Sequence, residues 1–297
     1  MNRSAKTSGS HGLAMMLTVF ALTGCATNTA ATLSSKRAAE EAAVLAATIA
    51  RGDAALQAGR LDEALVQYID AAEQDPKSDA ALLRIAQLHE SAGNMEPAIR
   101  ALQLAAQRDL RQGLTPQRLG FLSLRVGDDE HAGQYFTQAL ELDSGLWPSR
   151  MGLGLIAEQS GDLESARRYY DDALTMQPKS AELLAYSART HLALGNVERA
   201  REQVSLSLAI TPSSAARLVW GDLRAQAGDY SHAFDSYQTV LTTPLAYQRV
   251  GERAMERNDY ASAVKFLEAA ARISPTYLET AHQRLAVARE YLAAGRR

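Results

Sequence analysis

The chain has 297 residues, a formal net charge of −3 and a hydrophobic share of 46%, yet Phe, Trp and Tyr together make up only 6%. Neither this balance nor any run of Lys and Arg provides the basic surface that displaces counterions from phosphates, so nucleic acid is not an expected partner. An alanine-weighted, aromatic-poor composition favours closely packed helices, and no alternating Val/Ile/Thr run of useful length predicts a strand.

The first predicted element is a basic and then apolar amino-terminal stretch. Residues 1–12 contain Arg3 and Lys6 without an acidic residue, and an apolar run follows over residues 13–22. This order is typical of a secretory signal, and the apolar run is shorter than the roughly 20 residues that a permanent membrane-spanning helix needs. We therefore expect the protein to be exported.

The single cysteine of the chain directly follows that run. Cys25 has no second cysteine with which to form an internal disulfide or share a metal ion. Leu22, Thr23, Gly24 and Cys25 resemble the bacterial lipobox, which implies cleavage before the cysteine and lipidation of its sulfur. Several acyl chains, at about 0.8 kcal/mol per buried methylene, then anchor the protein stably. The alternatives are an unlipidated signal with an incidental cysteine, a buried thiol, or a nucleophile without a visible partner.

The residue after the cysteine bears on the destination of the lipoprotein. In the enteric-type lipoproteins that this segment resembles, an aspartate at this place retains the protein in the inner membrane, whereas this chain has Ala26. The resemblance therefore implies an outer-membrane, lipid-anchored protein that faces the periplasm. We predict a lipoprotein signal peptide over residues 1–24, and the lipidated cysteine with a flexible tether over residues 25–34.

The rest of the chain repeats a turn-and-helix phrase. Its shared alanines are 34 residues apart four times in succession, and then 33 and 30 residues apart. These alanines are Ala64, Ala98, Ala132, Ala166, Ala200, Ala233 and Ala263. A period of 34 is that of the tetratricopeptide repeat, a helix–turn–helix unit that the chain resembles. The resemblance implies an all-α, right-handed superhelical solenoid of about seven repeats over residues 35–275, closed by a C-terminal capping helix over residues 276–297.

Other positions of the repeat have mechanical reasons. Small residues at the eighth position let paired helices approach closely, and aromatic residues at the twenty-fourth fill the space below. Glycine at the fifteenth position can end the first helix in the left-handed conformation. The seventh unit has Asn258 in place of that glycine, and its shared alanine lies only 30 residues after that of the sixth unit. The sequence therefore predicts that the last two units are distorted.

The motifs that could carry chemistry fit the repeat better than an active site. Residues 152–157 mimic a G-x-G-x-x-A dinucleotide fingerprint, but they fall inside a predicted first helix and not after a strand. The histidines of the mature chain include no pair at the four-residue spacing of a helical metal site. We therefore predict no enzyme activity, no catalytic residues, no cofactor and no metal site.

A binding surface is the remaining functional feature. In the tetratricopeptide family the first helices line a concave groove, at about positions two, five, nine, twelve and thirteen, and solenoids bind peptides there. These positions predict a peptide groove of Gln87, Glu90, Phe121, Leu124, Arg125, Met151, Leu155, Glu158, Gln159, Arg189 and Leu192. Apolar anchors beside Arg and Glu suit a peptide ligand. Alternatively, these side chains only cover the neighbouring repeats.

The lipid signal and the repeats together indicate a class of partner. A lipid-anchored tetratricopeptide array of this length resembles the TadD family, the assembly lipoproteins of the tight-adherence (Flp/Tad) pilus. The resemblance implies an interaction scaffold that assists a secretin channel or a pilus apparatus in its assembly, with protein partners. The alternatives are a pilotin of type IV pili and a lipoprotein adaptor that recruits or regulates cell-wall enzymes.

Overall fold

The structure, a computed structural model, describes residues 12–76, 79–108, 113–273 and 279–295, with side chains from residue 33 onwards. Over these ranges the chain forms fifteen α-helices and no strand, which confirms the predicted all-α class. The helices are α1 (Gly12–Gln57), α2 (Leu61–Gln74), α3 (Ala80–Ser91), α4 (Met95–Arg108), α5 (Leu114–Val126), α6 (Asp129–Leu142), α7 (Trp147–Gln159), α8 (Leu163–Met176), α9 (Ala181–Ala193), α10 (Val197–Ile210), α11 (Ser214–Gln226), α12 (Tyr230–Gln238), α13 (Thr243–Glu256), α14 (Tyr260–Ile273) and α15 (Glu279–Ala293).

The chain divides into two compact units, Met1–Leu110 and Arg111–Arg297. Within each unit every helix packs against the next one along the chain, as expected for a series of helical hairpins. In the second unit α9 also packs against α11, and α11 against α13, so the first helices of successive hairpins stack on one another. No helix in the described ranges combines the length and the apolar character that membrane crossing requires.

The turn between α5 and α6 shows how the sequence ends one helix and begins the next. Gly127 has φ +80°, its amide donates to the Leu124 carbonyl, and the following Asp128 amide donates to the Ser123 carbonyl. The Asp128 side chain then accepts a hydrogen bond from the His131 amide at 3.2 Å and caps α6. The other fifteenth-position glycines with positive φ are Gly59, Gly93, Gly161, Gly195 and Gly228. The predicted role of these glycines is thus confirmed.

The eighth and twenty-fourth positions pack directly against each other. A Cβ atom added at Gly120 would lie 2.5 Å from the ring of Phe136, which is fully buried. Three other units pair glycine with an aromatic ring in the same way, as Gly52 with Tyr68, Gly154 with Tyr170, and Gly221 with Tyr237. Where the eighth residue is alanine, the twenty-fourth is aliphatic, as in Ala86 with Leu102 and Ala188 with Val204. The two positions therefore share one volume inside each hairpin.

The predicted distortion of the last two units is confirmed for the sixth but not for the seventh. The second helix of the sixth unit, α12, has nine residues, whereas α8 and α14 have fourteen each. The shortened spacing is therefore absorbed at the end of α12, before α13 begins at Thr243 with Pro244 in its first turn. Asn258 adopts φ +62°, the left-handed conformation that glycine adopts in the other units, so the seventh hairpin is regular.

The two ends of the chain differ in how far the structure describes them. Helix α1 continues through residues 25–34, where the sequence predicts a flexible tether, because this alanine-rich stretch contains no proline. The side chain of Cys25 and all of residues 1–11 lie outside the description, so cleavage and lipidation stay predictions. At the other end α15 packs against α14 and buries Ala281, Leu285 and Ala288.

A substitution at the repeat alanine tests this packing. Ala166 of α8 is fully buried, so Ala166→Leu should force extra volume between two helices and lower stability by about 1–3 kcal/mol. Glu164→Gln on the same helix removes an exposed ion pair with Arg167 and should change stability by less than about 1 kcal/mol. Thermal unfolding compares the two variants, and equal melting temperatures would contradict the packing described here.

Candidate functional site

The predicted groove residues all lie on first helices of the hairpins. Their positions are Gln87 and Glu90 on α3, Phe121, Leu124 and Arg125 on α5, Met151, Leu155, Glu158 and Gln159 on α7, and Arg189 and Leu192 on α9. The two residues on α3 belong to the first compact unit, where Gln87 is exposed and Glu90 is half-buried. The other nine belong to the second unit.

Five of these residues surround one cavity. Leu124, Leu155, Glu158, Gln159 and Arg189 line a concave space of about 390 Å³. They come from three successive first helices, which stack so that the same register positions face a common side. The structure thus unites two apolar side chains with an acid, an amide and a guanidinium, the mixture that a peptide groove requires.

Met151 and Phe121 are corrections to the predicted groove. Met151 is only 7% exposed, because it packs with Ala166 and Tyr170 inside the hairpin core. Phe121 is half-buried, and its ring meets the buried Phe136 ring edge-on with centroids 4.9 Å apart. Both side chains therefore contribute mainly to packing inside the hairpins and leave little surface for a ligand. Arg125 is exposed, and Leu192 lines a neighbouring cavity.

A partly exposed ionic contact joins α7 and α9 in the groove. Arg189 donates from Nε and Nη2 to the two carboxylate oxygens of Glu158, each at 2.6 Å. The Tyr170 hydroxyl donates to the same carboxylate at 3.1 Å, and the Arg189 guanidinium lies 5.1 Å from the Tyr186 ring centre. Burial, together with the charge of Glu158, raises the pKa of Tyr170 well above its ordinary value, so the phenol stays a donor.

A second cavity of about 420 Å³ adjoins the first and includes Arg189, Leu192, Asp222 and Arg253. Asp222 is only 5% exposed and accepts hydrogen bonds from the Tyr237 hydroxyl at 2.6 Å and from Arg253 Nε at 2.8 Å. Arg249 adds a third partner through Nη2 at 2.8 Å. Burial by itself would raise the pKa of the Asp222 carboxyl, but the two guanidinium groups more than offset it and lower that pKa.

The same arrangement recurs in the first compact unit. The Tyr68 hydroxyl donates to Asp53 at 2.7 Å, and Arg84 of the next hairpin pairs with that carboxylate at 3.1 Å. Burial and the hydrogen bond to Asp53 raise the pKa of Tyr68 to about 12. In each case a twenty-fourth-position tyrosine holds a carboxylate, which in turn holds an arginine from the following repeat. We call this arrangement the tyrosine–carboxylate–arginine clamp.

Asp222, Arg249 and Arg253 are not among the residues predicted from the sequence. The signal was available for Asp222, since it holds the ninth position of the sixth unit, next to the eighth-position Gly221. All three clamp carboxylates are occupied by arginine and tyrosine, so they are not free to act as a general acid or base. In the part of the chain that the structure describes, no group of three His, Cys, Asp or Glu side chains could hold a metal ion. The site is therefore suited to binding.

Comparison with known families agrees with the helical repeats. One profile described as tetratricopeptide repeat matches residues 55–112 and 157–227, and another with the same description matches residues 124–181. A search of curated protein sequences found no significant match.

Several solved structures have a similar fold at low sequence identity. One is the structure of PilW, described as a widely conserved type IV pilus biogenesis factor, with 18% identity and a TM-score of 0.57. The match covers 67% of this chain and 99% of the PilW chain. Pseudomonas aeruginosa PilF has 17% identity and a TM-score of 0.57, covering 86% of this chain and 99% of that chain. The APC/C hetero-tetramer Cut9–Hcn1 has 16% identity and a TM-score of 0.62, and the match covers 77% of this chain and 48% of that chain.

Proposed function

Because this chain belongs to the tetratricopeptide repeat family, whose members are generally non-enzymatic scaffolds for protein contacts, we propose that it is a lipid-anchored interaction scaffold of the outer membrane. It faces the periplasm and assists the assembly of a Flp/Tad-type pilus or of its secretin. Its partner is a protein segment that lies against the first helices of the second unit.

The observation that carries the proposal is a lipobox cysteine placed ahead of a repeat array in one chain. Cys25 supplies the anchor, and the repeats supply a surface in which Leu124 and Leu155 lie beside the paired Glu158 and Arg189. Apolar anchors next to fixed charges bind a protein segment with defined orientation. The fold shared with the pilus biogenesis factor PilW supports a pilus-related role.

Membrane fractionation with labelled palmitate tests the anchor. We expect the wild-type protein to incorporate palmitate and to stay with the outer membrane under alkaline wash. Cys25→Ser should lose the label and be extracted, because its hydroxyl cannot receive the diacylglycerol. Ala26→Asp is the matched control, since it should keep the label but move to the inner membrane. A Cys25→Ser chain that resists alkaline extraction would contradict the lipid anchor.

Affinity capture from envelopes tests the partner. The lipidated chain should recover a secretin or a pilus component, and Leu124→Arg should lose that component because it places a charge in the apolar part of the groove. Val126→Arg is the control, since Val126 is exposed on the same helix but does not line the cavity. Circular dichroism checks that both variants remain helical. Equal recovery by the two variants would place the partner elsewhere.

A pilotin of type IV pili is the second candidate function. It is favoured by the coverage of the PilF structure, which matches this chain over 99% of its own length. The capture experiment distinguishes the candidates, because a type IV pilus secretin supports the pilotin and a Flp/Tad component supports the first proposal. Recovery of peptidoglycan hydrolases or synthases alone would instead indicate an adaptor for cell-wall enzymes.

A further inference from the structure

We propose that the protein has a second binding site outside the first-helix groove. This site binds a peptide ligand through one of its amide groups and an adjacent apolar side chain of the same ligand. The site is a cavity of about 430 Å³ formed by side chains of α8, α9 and α10. Leu174, Leu184 and Leu206 supply apolar walls, while His191 and Gln203 supply polar groups. This inference does not depend on the pilus-related role proposed above.

The side-chain amide of Gln203 is the main observation. Gln203 is only 3% exposed, and neither its Nε2 nor its Oε1 has a hydrogen-bond partner among the described residues. Burying both ends of a carboxamide without partners is unfavourable, and folded proteins rarely leave such groups unsatisfied. A group that both donates and accepts a hydrogen bond would satisfy Gln203 completely.

Comparison among the repeats shows that the fold does not require a polar residue here. The same register position is aromatic in the third, fourth and seventh units, as Tyr135, Tyr169 and Phe266, and holds Gln67, Ala101 and Ser236 in the first, second and sixth. Tyr169 packs against the apolar core of its own hairpin, and Phe266 packs against a core that the sixth hairpin shares with α13. An aromatic side chain therefore fits this position. Of the two glutamines that hold it, Gln67 is half-buried, whereas Gln203 is buried with both ends of its amide unpaired.

A second unsatisfied polar atom lies in the same cavity. His191 is 7% exposed, and its Nε2 makes no hydrogen bond within the described part of the chain. The nearest carboxylate oxygen, on Asp171, is 3.7 Å away, which is too long for a hydrogen bond. The unpaired Nε2 of His191 and the unpaired amide of Gln203 thus belong to one cavity with leucine walls.

The charges around the cavity favour a neutral ligand. Asp171 pairs with Arg167 at 3.2 Å, and Glu202 pairs with Arg199 at 2.7 Å. Both carboxylates and Arg199 of the lining are thus already paired, although Asp171 shares Arg167 with Glu164, so none of them is free to bind a charged ligand. A peptide amide is neutral and has both a donor and an acceptor, and a neighbouring leucine-like side chain would contact the leucine walls.

Binding requires a rearrangement of one side chain. The polar atoms of Gln203 are covered, so its amide has to turn toward the cavity before a ligand can reach it. Glutamine has three rotatable side-chain bonds, and its last torsion has a broad, shallow preference. We therefore expect weak, saturable binding of small probes and tighter binding of a longer peptide that reaches the same amide.

The test uses the full-length protein and N-acetyl-leucinamide as the probe. Nuclear magnetic resonance of glutamine side-chain amides and histidine rings should show saturable shifts at Gln203 and His191. Gln203→Leu should bind the probe at least about tenfold more weakly, which corresponds to loss of one to two hydrogen bonds. Gln134→Leu is the matched control, because Gln134 is exposed on α6 and does not line the cavity.

A second variant keeps the test decisive if Gln203→Leu fails to fold. Leu206→Trp enlarges an exposed cavity residue and should block the probe while Gln203 remains intact. Absence of saturable shifts in the wild-type protein would overturn the proposal. So would wild-type affinity in Leu206→Trp or in a folded Gln203→Leu chain.

Discussion

Gly120→Ala is expected to destabilise the protein by about 1–3 kcal/mol, although alanine is the better helix former. The new methyl group would lie 2.5 Å from the Phe136 ring, well inside van der Waals contact. That ring is fully buried and also faces Gly152 on its other side, so it has no space into which it can move. Chemical denaturation measures the loss.

Two further variants separate this clash from a general effect of glycine replacement. Gly133→Ala lies in the helix α6, where a Cβ atom would meet nothing closer than 3.8 Å, so helix propensity should stabilise it by about 0.5–1 kcal/mol. Phe136→Leu combined with Gly120→Ala reproduces the alanine and leucine pair of the second unit, Ala86 with Leu102.

The double variant should be less destabilised than the sum of its single changes, with a coupling energy of about 1–2 kcal/mol. The reason is that leucine vacates the volume that the alanine methyl group needs. Strict additivity of the two changes would show that the eighth and twenty-fourth positions do not share one volume, and would refute this description of the hairpin interior.

Asp222→Ala should cost about 3 kcal/mol, the low end of the range for breaking a buried ion pair. It leaves Arg249, Arg253 and the Tyr237 hydroxyl without their common acceptor, but both guanidinium groups are about one-third exposed and recover part of their hydration. Glu256→Gln is the control, because its pair with Arg253 is exposed and is expected to contribute less than about 1 kcal/mol.

The stability that the Asp222 carboxylate contributes should depend on pH. The pKa of Asp222 is lower in the folded protein than in the unfolded chain, so its stabilising contribution is complete above the ordinary aspartate pKa of about 4. The contribution declines as pH falls below that value, because protonation removes the charge that Arg249 and Arg253 bind. Denaturation at several pH values should therefore show the wild type and Asp222→Asn converging in acid. A difference in unfolding free energy that stays constant with pH would rule out the tyrosine–carboxylate–arginine clamp at Asp222.

The sequence by itself determined the repeat, the helical class and the turns. These features depend on short-range conformation: Gly127 can adopt φ +80° without strain, and Asp128 caps the helix that starts one residue later. The period of the alanines and glycines then places each helix without knowledge of its neighbours. The register also located Leu124, Leu155, Glu158, Gln159 and Arg189, which do line a common cavity.

Only the tertiary structure decided which register positions remain open and which become interior. Met151 and Leu155 are both apolar residues of α7, yet Met151 lies inside the hairpin core, while Leu155 packs only against the edge of that core and lines the groove. The arginine partners of Asp222 lie 27 and 31 residues further along the chain. No local pattern pairs residues so far apart, since their distance depends on how one hairpin stacks on the next.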